Sequence, residues 1–314
     1  MKKKKALSVQ KSDFIKRLKK NWIYYLFLLP ALVLVFLFSY RPFGGIAIAF
    51  KDFKVAKGIA GSEWVGFQHF EKAFSDPNFI RALKNTLKIG ILTLATSFPV
   101  TLIFTILVNE IQNAKFKKVA QTITYLPYFL SWVVVGAFVY QVLSPTSGIA
   151  NTILIKLGIL DKPYNFVVYG DNFVPIYLIT NLWKNTGYSI VVYLAVITGI
   201  DVGLYEAAML DGANRLQKII HITLPALLPT MCVILILNVG NIITVGFDPI
   251  YNLYNDAVYQ SADVISTYVY RKGMLETKFD YSTALGLFQN VVSLLLVLST
   301  NWIVRKANPE YRII

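Results

Sequence analysis

The chain has few of the residues on which most soluble enzymes and metal sites depend. Its 314 residues include one cysteine, two histidines and 17 acidic residues, and charged residues make up only 15% of the total. A soluble domain usually carries about 25% charged residues. One cysteine excludes an intramolecular disulfide framework and a cysteine-built zinc cluster. His69 and His221 are separated by several long apolar runs, which place them in loops on opposite sides of a predicted membrane. We therefore do not expect them to share a metal ion.

Sequence motifs of catalytic and nucleotide-binding sites are missing as well. The chain contains no HExxH, no GxSxG and no glycine-rich phosphate loop GxxxxGK[ST]. We therefore expect a protein that is not an enzyme, that binds no cofactor and that needs a partner for any use of ATP. The net charge of +14 does not predict nucleic-acid binding, because the basic residues are concentrated at the N-terminus and in short segments between apolar runs.

Those long apolar runs are the main feature of the sequence. Hydrophobic residues make up 55% of the chain. A helix needs about 20 apolar residues to cross a bilayer, because lipid offers no hydrogen bonds to an open backbone. Six segments meet this requirement, so we predict an all-α integral membrane protein with six transmembrane helices. The predicted spans are residues 22–40, 86–108, 120–143, 174–199, 223–247 and 282–304.

The distribution of basic residues predicts the orientation of these spans. With the N-terminus inside, the inner segments hold 17 Lys and Arg in 63 residues, whereas the outer segments hold 12 in 105 residues. Basic residues favour the cytoplasmic side, so both termini are predicted to be cytoplasmic. The predicted organisation is a basic tail over 1–21 with a short amphipathic helix, a membrane domain over 22–308 with a cytoplasmic loop at about 200–222, and a short tail over 309–314.

The loop between the fourth and fifth predicted spans has the most informative pattern. It reads LYEAAMLDGANRLQKIIHITLP from Leu204 to Pro225. Apolar or small residues recur every four positions as far as Ile220, with charged residues between them, which predicts an amphipathic helix. Gly212 permits a bend or the close approach of another backbone. Pro225 suits the first turn of the following span, where its missing N–H costs little.

This loop resembles the cytoplasmic signature loop of ABC importer permeases: Glu-Ala-Ala, three residues, Gly, nine residues, Ile-x-Leu-Pro. The segments FSDPNFIRALKNTLKIG and YLPYFLSWVVVGAFVYQVL are similar to the carbohydrate branch, so the resemblance covers about residues 20–305. It implies the type I importer permease fold (MetI-like) and the branch that handles complex oligosaccharides and polysaccharides. The matching residues are Glu206, Ala207, Ala208, Gly212, Ile222, Leu224 and Pro225.

The resemblance also implies a set of partners. The loop is expected to act as a coupling helix that docks on a cytoplasmic ABC ATPase, present in two copies that hold ATP and Mg. A second homologous permease, an extracytoplasmic solute-binding protein, an oligosaccharide and lipid of the bacterial plasma membrane complete the set, without nucleic acid. The residues expected at the ATPase contact are Glu206, Ala207, Ala208, Asp211, Gly212, Arg215, Leu224 and Pro225.

Polar and aromatic side chains inside the predicted spans are candidates for a substrate path. Lys184 is the one cation well inside an apolar segment, where charge is costly and usually faces a cavity or a partner. Amides bind sugar hydroxyls and aromatic rings cover the apolar sugar face; alternatively, these groups join helices by hydrogen bonds. The candidates are Tyr128, Trp132, Asn181, Trp183, Lys184, Asn185, Tyr188, Asn238, Asn241, Gln289 and Asn290, together with Tyr140.

Two other functions stay open at this point. The chain is alternatively an ABC permease for another solute, such as amino acids or phosphate, which the identity of the binding protein would decide. A stand-alone secondary transporter is the second alternative, although it has no use for the Glu-Ala-Ala loop. A membrane-embedded enzyme needs paired reactive groups at one depth, and the sequence offers none.

Overall fold

A computed structural model describes residues 20–308, in two compact units that meet in the chain between Gly66 and Phe67. The predictions for 1–19 and 309–314, including most of the basic tail, lie outside the described residues. Within the described part, four helices are long and apolar enough to cross a membrane. Two further helix pairs, bent by 102° and 71°, bring the number to six if each pair is one span. The predicted all-α membrane fold is confirmed.

The first unit consists of one long helical run and a small hairpin. Helix α1 (Trp22–Val35) continues as a π-helical turn (Phe36–Tyr40) and a 3-10 segment (Arg41–Phe50), well beyond the predicted end at 40. Its α-helical part is apolar on all sides, as in a helix that contacts lipid or other membrane helices. The hairpin pairs strand β1 (Lys51–Asp52) with β2 (Glu63–Trp64) in antiparallel register, around a 3-10 turn (Val55–Lys57) and helix α2 (Gly58–Gly61).

The second unit contains all the remaining helices that the structure describes. Short 3-10 or π-helical segments link several of them, at 126–129, 219–223, 241–243, 256–258 and 271–275. The helices are α3 (Gln68–Ser75), α4 (Pro77–Asn109), α5 (Ala114–Tyr125), α6 (Trp132–Leu143), α7 (Ile149–Lys156), α8 (Gly170–Thr198), α9 (Val202–Leu210), α10 (Arg215–Lys218), α11 (Leu224–Gly240), α12 (Phe247–Leu253), α13 (Tyr259–Ala262), α14 (Ile265–Tyr270) and α15 (Phe279–Ala307).

The second predicted span begins nine residues later than helix α4 does. Asp76 ends α3 and caps α4, because its carboxylate accepts a hydrogen bond from the Asn78 N–H at 2.8 Å. Pro77 then occupies the first helical turn, where a missing N–H is harmless. The Asp76–Pro77 pair therefore starts a new helix as well as ending the preceding one.

The third predicted span, 120–143, is not one straight helix. The chain turns by 102° between residues 114–129 and α6, in a helix break that we define as residues 126–131. Pro127 cannot donate a backbone hydrogen bond, and the Ser131 hydroxyl accepts from the Val134 N–H at 3.3 Å to start α6. The apolar run continues through the break, so hydropathy alone does not reveal it.

Helices α4 and α8 form the centre of the second unit. Ile89 of α4 and Phe173, Val174 and Tyr177 of α8 are buried together with residues that follow α11. On the other side of α8, Gly187 lies directly against the Thr124 carbonyl group of α5, and a β-carbon there would overlap that carbonyl oxygen. This glycine therefore sets how closely the end of α5 can approach α8.

Candidate functional site

A cavity of about 520 Å³, lined by both polar and apolar side chains, lies between helices α4, α8 and α11 and the turn that follows α11. Five of the side chains that helix α8 contributes recur every four residues, which places them along one ridge of the helix. We call this ridge the polar stripe; with 1.5 Å of rise per residue it extends for about 24 Å. Its members are Tyr177, Asn181, Asn185, Ser189 and Tyr193.

Helix α4 lines the opposite wall with a second row of small polar groups, Thr93, Ser97 and Thr101, again four residues apart. The two walls meet where the Asn181 amide reaches the Ser97 hydroxyl at 3.4 Å. The sequence-based prediction missed this row, because Ser and Thr within a membrane helix commonly bond to their own backbone. Thr96 and Thr105 of α4 do so. The repeat at four-residue spacing was the available signal.

Five of the eleven predicted path residues line the cavity. Asn185 and Asn181 are joined by a hydrogen bond of 2.7 Å from the Asn185 amide to the Asn181 side-chain oxygen, which orders both amides. The ring of Tyr188 also stacks on Tyr128, with centroids 3.9 Å apart, so Tyr128 supports the wall from behind. The five that line the cavity are Asn181, Asn185, Tyr188, Asn238 and Asn241.

Lys184 points away from the cavity and into the helix break. Its ammonium group donates to the carbonyl oxygens of Leu130 at 2.6 Å, Tyr128 at 2.7 Å and Pro127 at 3.3 Å. The side chain is 95% buried, and the rings of Tyr128 and Trp132 are each 5.5 Å from the ammonium nitrogen. The cation thus bonds to carbonyl groups at the point where the backbone changes direction.

The other predicted path residues have contacts elsewhere. Gln289 donates to the Ile243 carbonyl group and joins α15 to the turn after α11, whereas Asn290 is exposed. Trp183 stacks on Phe138 at 5.8 Å beside a separate apolar groove. Tyr140 donates to the Leu253 carbonyl group at 3.1 Å. These contacts are of the helix-joining kind that was the alternative for each residue.

The predicted coupling loop forms two short helices and not one continuous helix. Asp201 caps α9, and α9 ends at a turn in which Gly212 has a φ of +80°. The Gly212 N–H donates to the Met209 carbonyl at 3.1 Å and the Ala213 N–H to the Ala208 carbonyl at 2.8 Å, a Schellman motif. The bend expected at Gly212 is present, and it interrupts the predicted face from Leu204 to Ile220.

The loop continues into the fifth predicted span as a continuous helical run. Helix α10 begins with a capping box between Asn214 and Gln217, and the helical run from Arg215 to Ile243 is one 29-residue span. Pro225 lies in the first turn of α11, as the sequence predicted, and a π-helical turn (Ile219–Thr223) joins α10 to α11 within the same helical run. The Tyr205 hydroxyl lies 2.9 Å from the Thr223 hydroxyl and ties α9 to this run.

The predicted ATPase-contact residues are mostly on the outer face of this loop. Glu206, Ala207, Asp211, Gly212, Arg215 and Pro225 are exposed, and Ala208 and Leu224 are half-buried. Leu210, between them, is 90% exposed, together with the half-exposed Met209. A small groove of about 220 Å³ lies beside Ala208 and Ala213. Exposed apolar side chains on a turn suit a protein contact better than a free surface.

A second polar cluster connects the beginnings of α4 and α15. The Tyr268 hydroxyl donates to the Asp76 carboxylate at 2.6 Å and lies 3.4 Å from the Tyr281 hydroxyl. Burial raises the pKa of Asp76, but the hydrogen bonds from Tyr268 and Asn78 outweigh burial and leave that pKa below its usual value. The cluster holds the carboxylate in its charged form.

Close relatives are found for most of the chain. The family model described as "Binding-protein-dependent transport system inner membrane component" matches residues 102–313. The polygalacturonan/rhamnogalacturonan transport system permease protein YteP of Bacillus subtilis (strain 168) is 40% identical over 96% of this chain and 93% of its own length. Protein LplB of the same organism is 38% identical over 93% of this chain and 92% of its own.

A solved structure matches as well. It is a crystal structure of a bacterial ABC transporter involved in the import of the acidic polysaccharide alginate. One chain of it has 40% sequence identity and a TM-score of 0.86, over 94% of this chain and 99% of that one. A related crystal structure shows such a transporter in complex with an alginate pentasaccharide-bound periplasmic protein.

Proposed function

Because the chain belongs to the family of inner membrane components of binding-protein-dependent transport systems, we propose that it is a permease subunit of an ATP-driven sugar importer. It forms half of the membrane path for an oligosaccharide and transmits the movement of a separate ATPase to that path. Relatives named for polygalacturonan, rhamnogalacturonan and alginate support a sugar substrate. The amides, hydroxyls and tyrosine rings of the cavity support it independently.

The observation that carries the proposal is that one continuous helical run joins the loop to the cavity. The run from Arg215 to Ile243 starts at the Schellman turn, and the same run places Asn238 and Asn241 in the cavity wall. A displacement of α9 is passed to this run through the Tyr205–Thr223 contact. Docking of an ATPase on the exposed loop therefore changes the cavity without any chemistry in this chain.

A subunit of this kind needs several partners. Two ATPase copies bind ATP and Mg and dock from the cytoplasm, a second homologous permease supplies the other half of the path, and an extracytoplasmic binding protein delivers the sugar. The solved relative in complex with a sugar-bound periplasmic protein supports the last of these. Both termini are cytoplasmic in this arrangement, and the expected ATPase contact includes Glu206, Asp211, Gly212 and Arg215.

The test compares two leucine variants in the assembled importer purified from membranes. Leu210→Asp places a charge on the most exposed apolar side chain of the loop, and Leu157→Asp makes the same change at a residue 67% exposed in a different loop. We expect Leu210→Asp to lose the ATPase on co-purification and Leu157→Asp to retain it. Equal ATPase recovery in both variants would remove the coupling role of the loop.

A further inference from the structure

The charge composition of the cavity lining matters because relatives of the chain are named for polygalacturonan and for the acidic polysaccharide alginate. Among the residues that the structure describes, the side chains lining the cavity are amides, hydroxyls, aromatic rings and aliphatic groups, with no Lys, Arg, His, Asp or Glu. A carboxylate that leaves water needs a cation or several hydrogen-bond donors to replace its hydration. The lining supplies hydrogen-bond donors, but no cation.

The one cation in helix α8 is already occupied. Lys184 is next to Asn185 in sequence, yet its ammonium group donates to three backbone carbonyl groups in the helix break. Helix geometry turns neighbouring residues about 100° apart, so Lys184 faces α5 and α6 while Asn185 faces the cavity. Turning the ammonium toward the cavity would leave buried carbonyl groups without a partner, which is costly.

The groups that do face the cavity suit uncharged hydroxyls. An amide has two donors and one acceptor oxygen, so it can both give to and accept from a sugar hydroxyl. The hydrogen bond from the Asn185 amide to the Asn181 side-chain oxygen fixes their orientation and leaves further donor and acceptor positions on both. At the far end of the stripe, Tyr193 has a buried hydroxyl group with no hydrogen-bond partner. Buried polar groups normally have partners, so this hydroxyl points to a polar ligand or water in the cavity.

We propose that the cavity accepts sugar units through their hydroxyl groups alone and provides no cation to pair with a carboxylate. This inference rests on the proposed function, since it concerns what passes through the path of a sugar importer. If the inference holds, this subunit binds neutral and uronic sugars alike. Any discrimination between them is then made outside this cavity.

Matched substitutions at Asn185 test the inference. Asn185→Leu removes the amide hydrogen bonds at similar size, and Asn185→Asp adds a negative charge of nearly the same shape. The assembled importer, with its ATPases, second permease and binding protein, is reconstituted in lipid vesicles. The probes are radiolabelled galactose and galacturonate trisaccharides of one linkage, and mannose and mannuronate trisaccharides of another. Uptake of each probe is compared between the two variants.

We expect Asn185→Leu to slow the neutral and uronic members of a pair by the same factor, because both use the amide through hydroxyls. Asn185→Asp should import the neutral sugar at least as fast as Asn185→Leu, because a carboxylate still accepts hydrogen bonds from hydroxyls. It should import the uronic sugar about tenfold more slowly than Asn185→Leu does, because like charges repel in a cavity partly removed from water. Asn238→Leu and Asn238→Asp, on α11, repeat the comparison if the Asn185 variants fail to assemble.

The control for added charge is Asn113→Asp, which caps helix α5 outside the cavity. Aspartate is an equally good helix cap, so uptake of every probe should be unchanged. The inference is overturned if Asn185→Leu slows the uronic sugar selectively, because the amide would then hold the carboxylate. It is also overturned if Asn185→Asp imports uronic sugars as fast as Asn185→Leu. If the wild-type importer takes up none of the probes, it is the proposed function that fails.

Discussion

Replacement of Lys184 by methionine tests how much the helix break depends on one ammonium group. Methionine is close to lysine in length and apolar character but cannot donate to the carbonyl oxygens of Tyr128 and Leu130, 2.7 and 2.6 Å away. Hydrogen bonds that involve a charged group contribute about 1.5–3 kcal/mol each, net of desolvation. Losing the two short bonds should therefore destabilise the chain by about 3–6 kcal/mol.

The assay is the thermal stability of the detergent-purified importer complex, followed by the loss of monodisperse protein on size exclusion. Lys88→Met is the matched control, because Lys88 is an exposed lysine of α4. We expect Lys184→Met to lower the thermal midpoint by several degrees, whereas Lys88→Met leaves the midpoint near that of the wild type. Lys184→Met should also weaken the stacking of Tyr128 on Tyr188 in the cavity wall. Indistinguishable midpoints for Lys184→Met and the wild type would refute the idea that the Lys184 ammonium group stabilises the helix break.

Three further predictions concern single residues. Gly187→Ala should lower the thermal midpoint of the complex, because its β-carbon would overlap the Thr124 carbonyl group, whereas Gly286→Ala, with open space at that position, should keep or raise it; equal midpoints would contradict the close approach. Gly212→Ala should cost about 1 kcal/mol at the φ of +80° and reduce ATPase recovery on co-purification, and Gly212→Asn should recover more ATPase, since Asn tolerates this region. Because the pKa of Asp76 is lowered in the folded state, its carboxylate stabilises the fold above the unfolded pKa of about 4 and this contribution is lost as the pH falls through the folded value. Thermal midpoints of wild type and Asp76→Asn should accordingly converge on acidification, and a constant difference down to the lowest pH would exclude the carboxylate as the cause.

Sequence patterns were sufficient for the membrane class, for a physical reason. A helix in lipid must satisfy its backbone internally, so its length and apolarity are visible in the chain itself. The pattern from Glu206 to Pro225 also lies within one short segment of the chain, so it can be read without knowledge of the fold. The capping residues Asp76 and Ser131 could also have been recognised, and they would have corrected the starts of α4 and α6.

The cavity could be predicted only in part, because its geometry depends on distant residues. Asn181, Asn185 and Asn238 stand out as amides in apolar segments, and they do line it. The acceptors of Lys184, however, lie more than 50 residues earlier in the chain and are backbone atoms, which no side-chain pattern identifies. Gln289 likewise bonds to a carbonyl group of the turn after α11. Whether an intramembrane polar group faces a cavity or another helix is decided by packing, not by composition.

The helix break also has a consequence for how the protein is made. Residues 114–143 leave the ribosome before α8, so during synthesis the carbonyl groups of Tyr128 and Leu130 are exposed before Lys184 exists to bond them. Lipid provides no substitute donor. The donor for these two carbonyl groups therefore becomes available only once α8 has been synthesised.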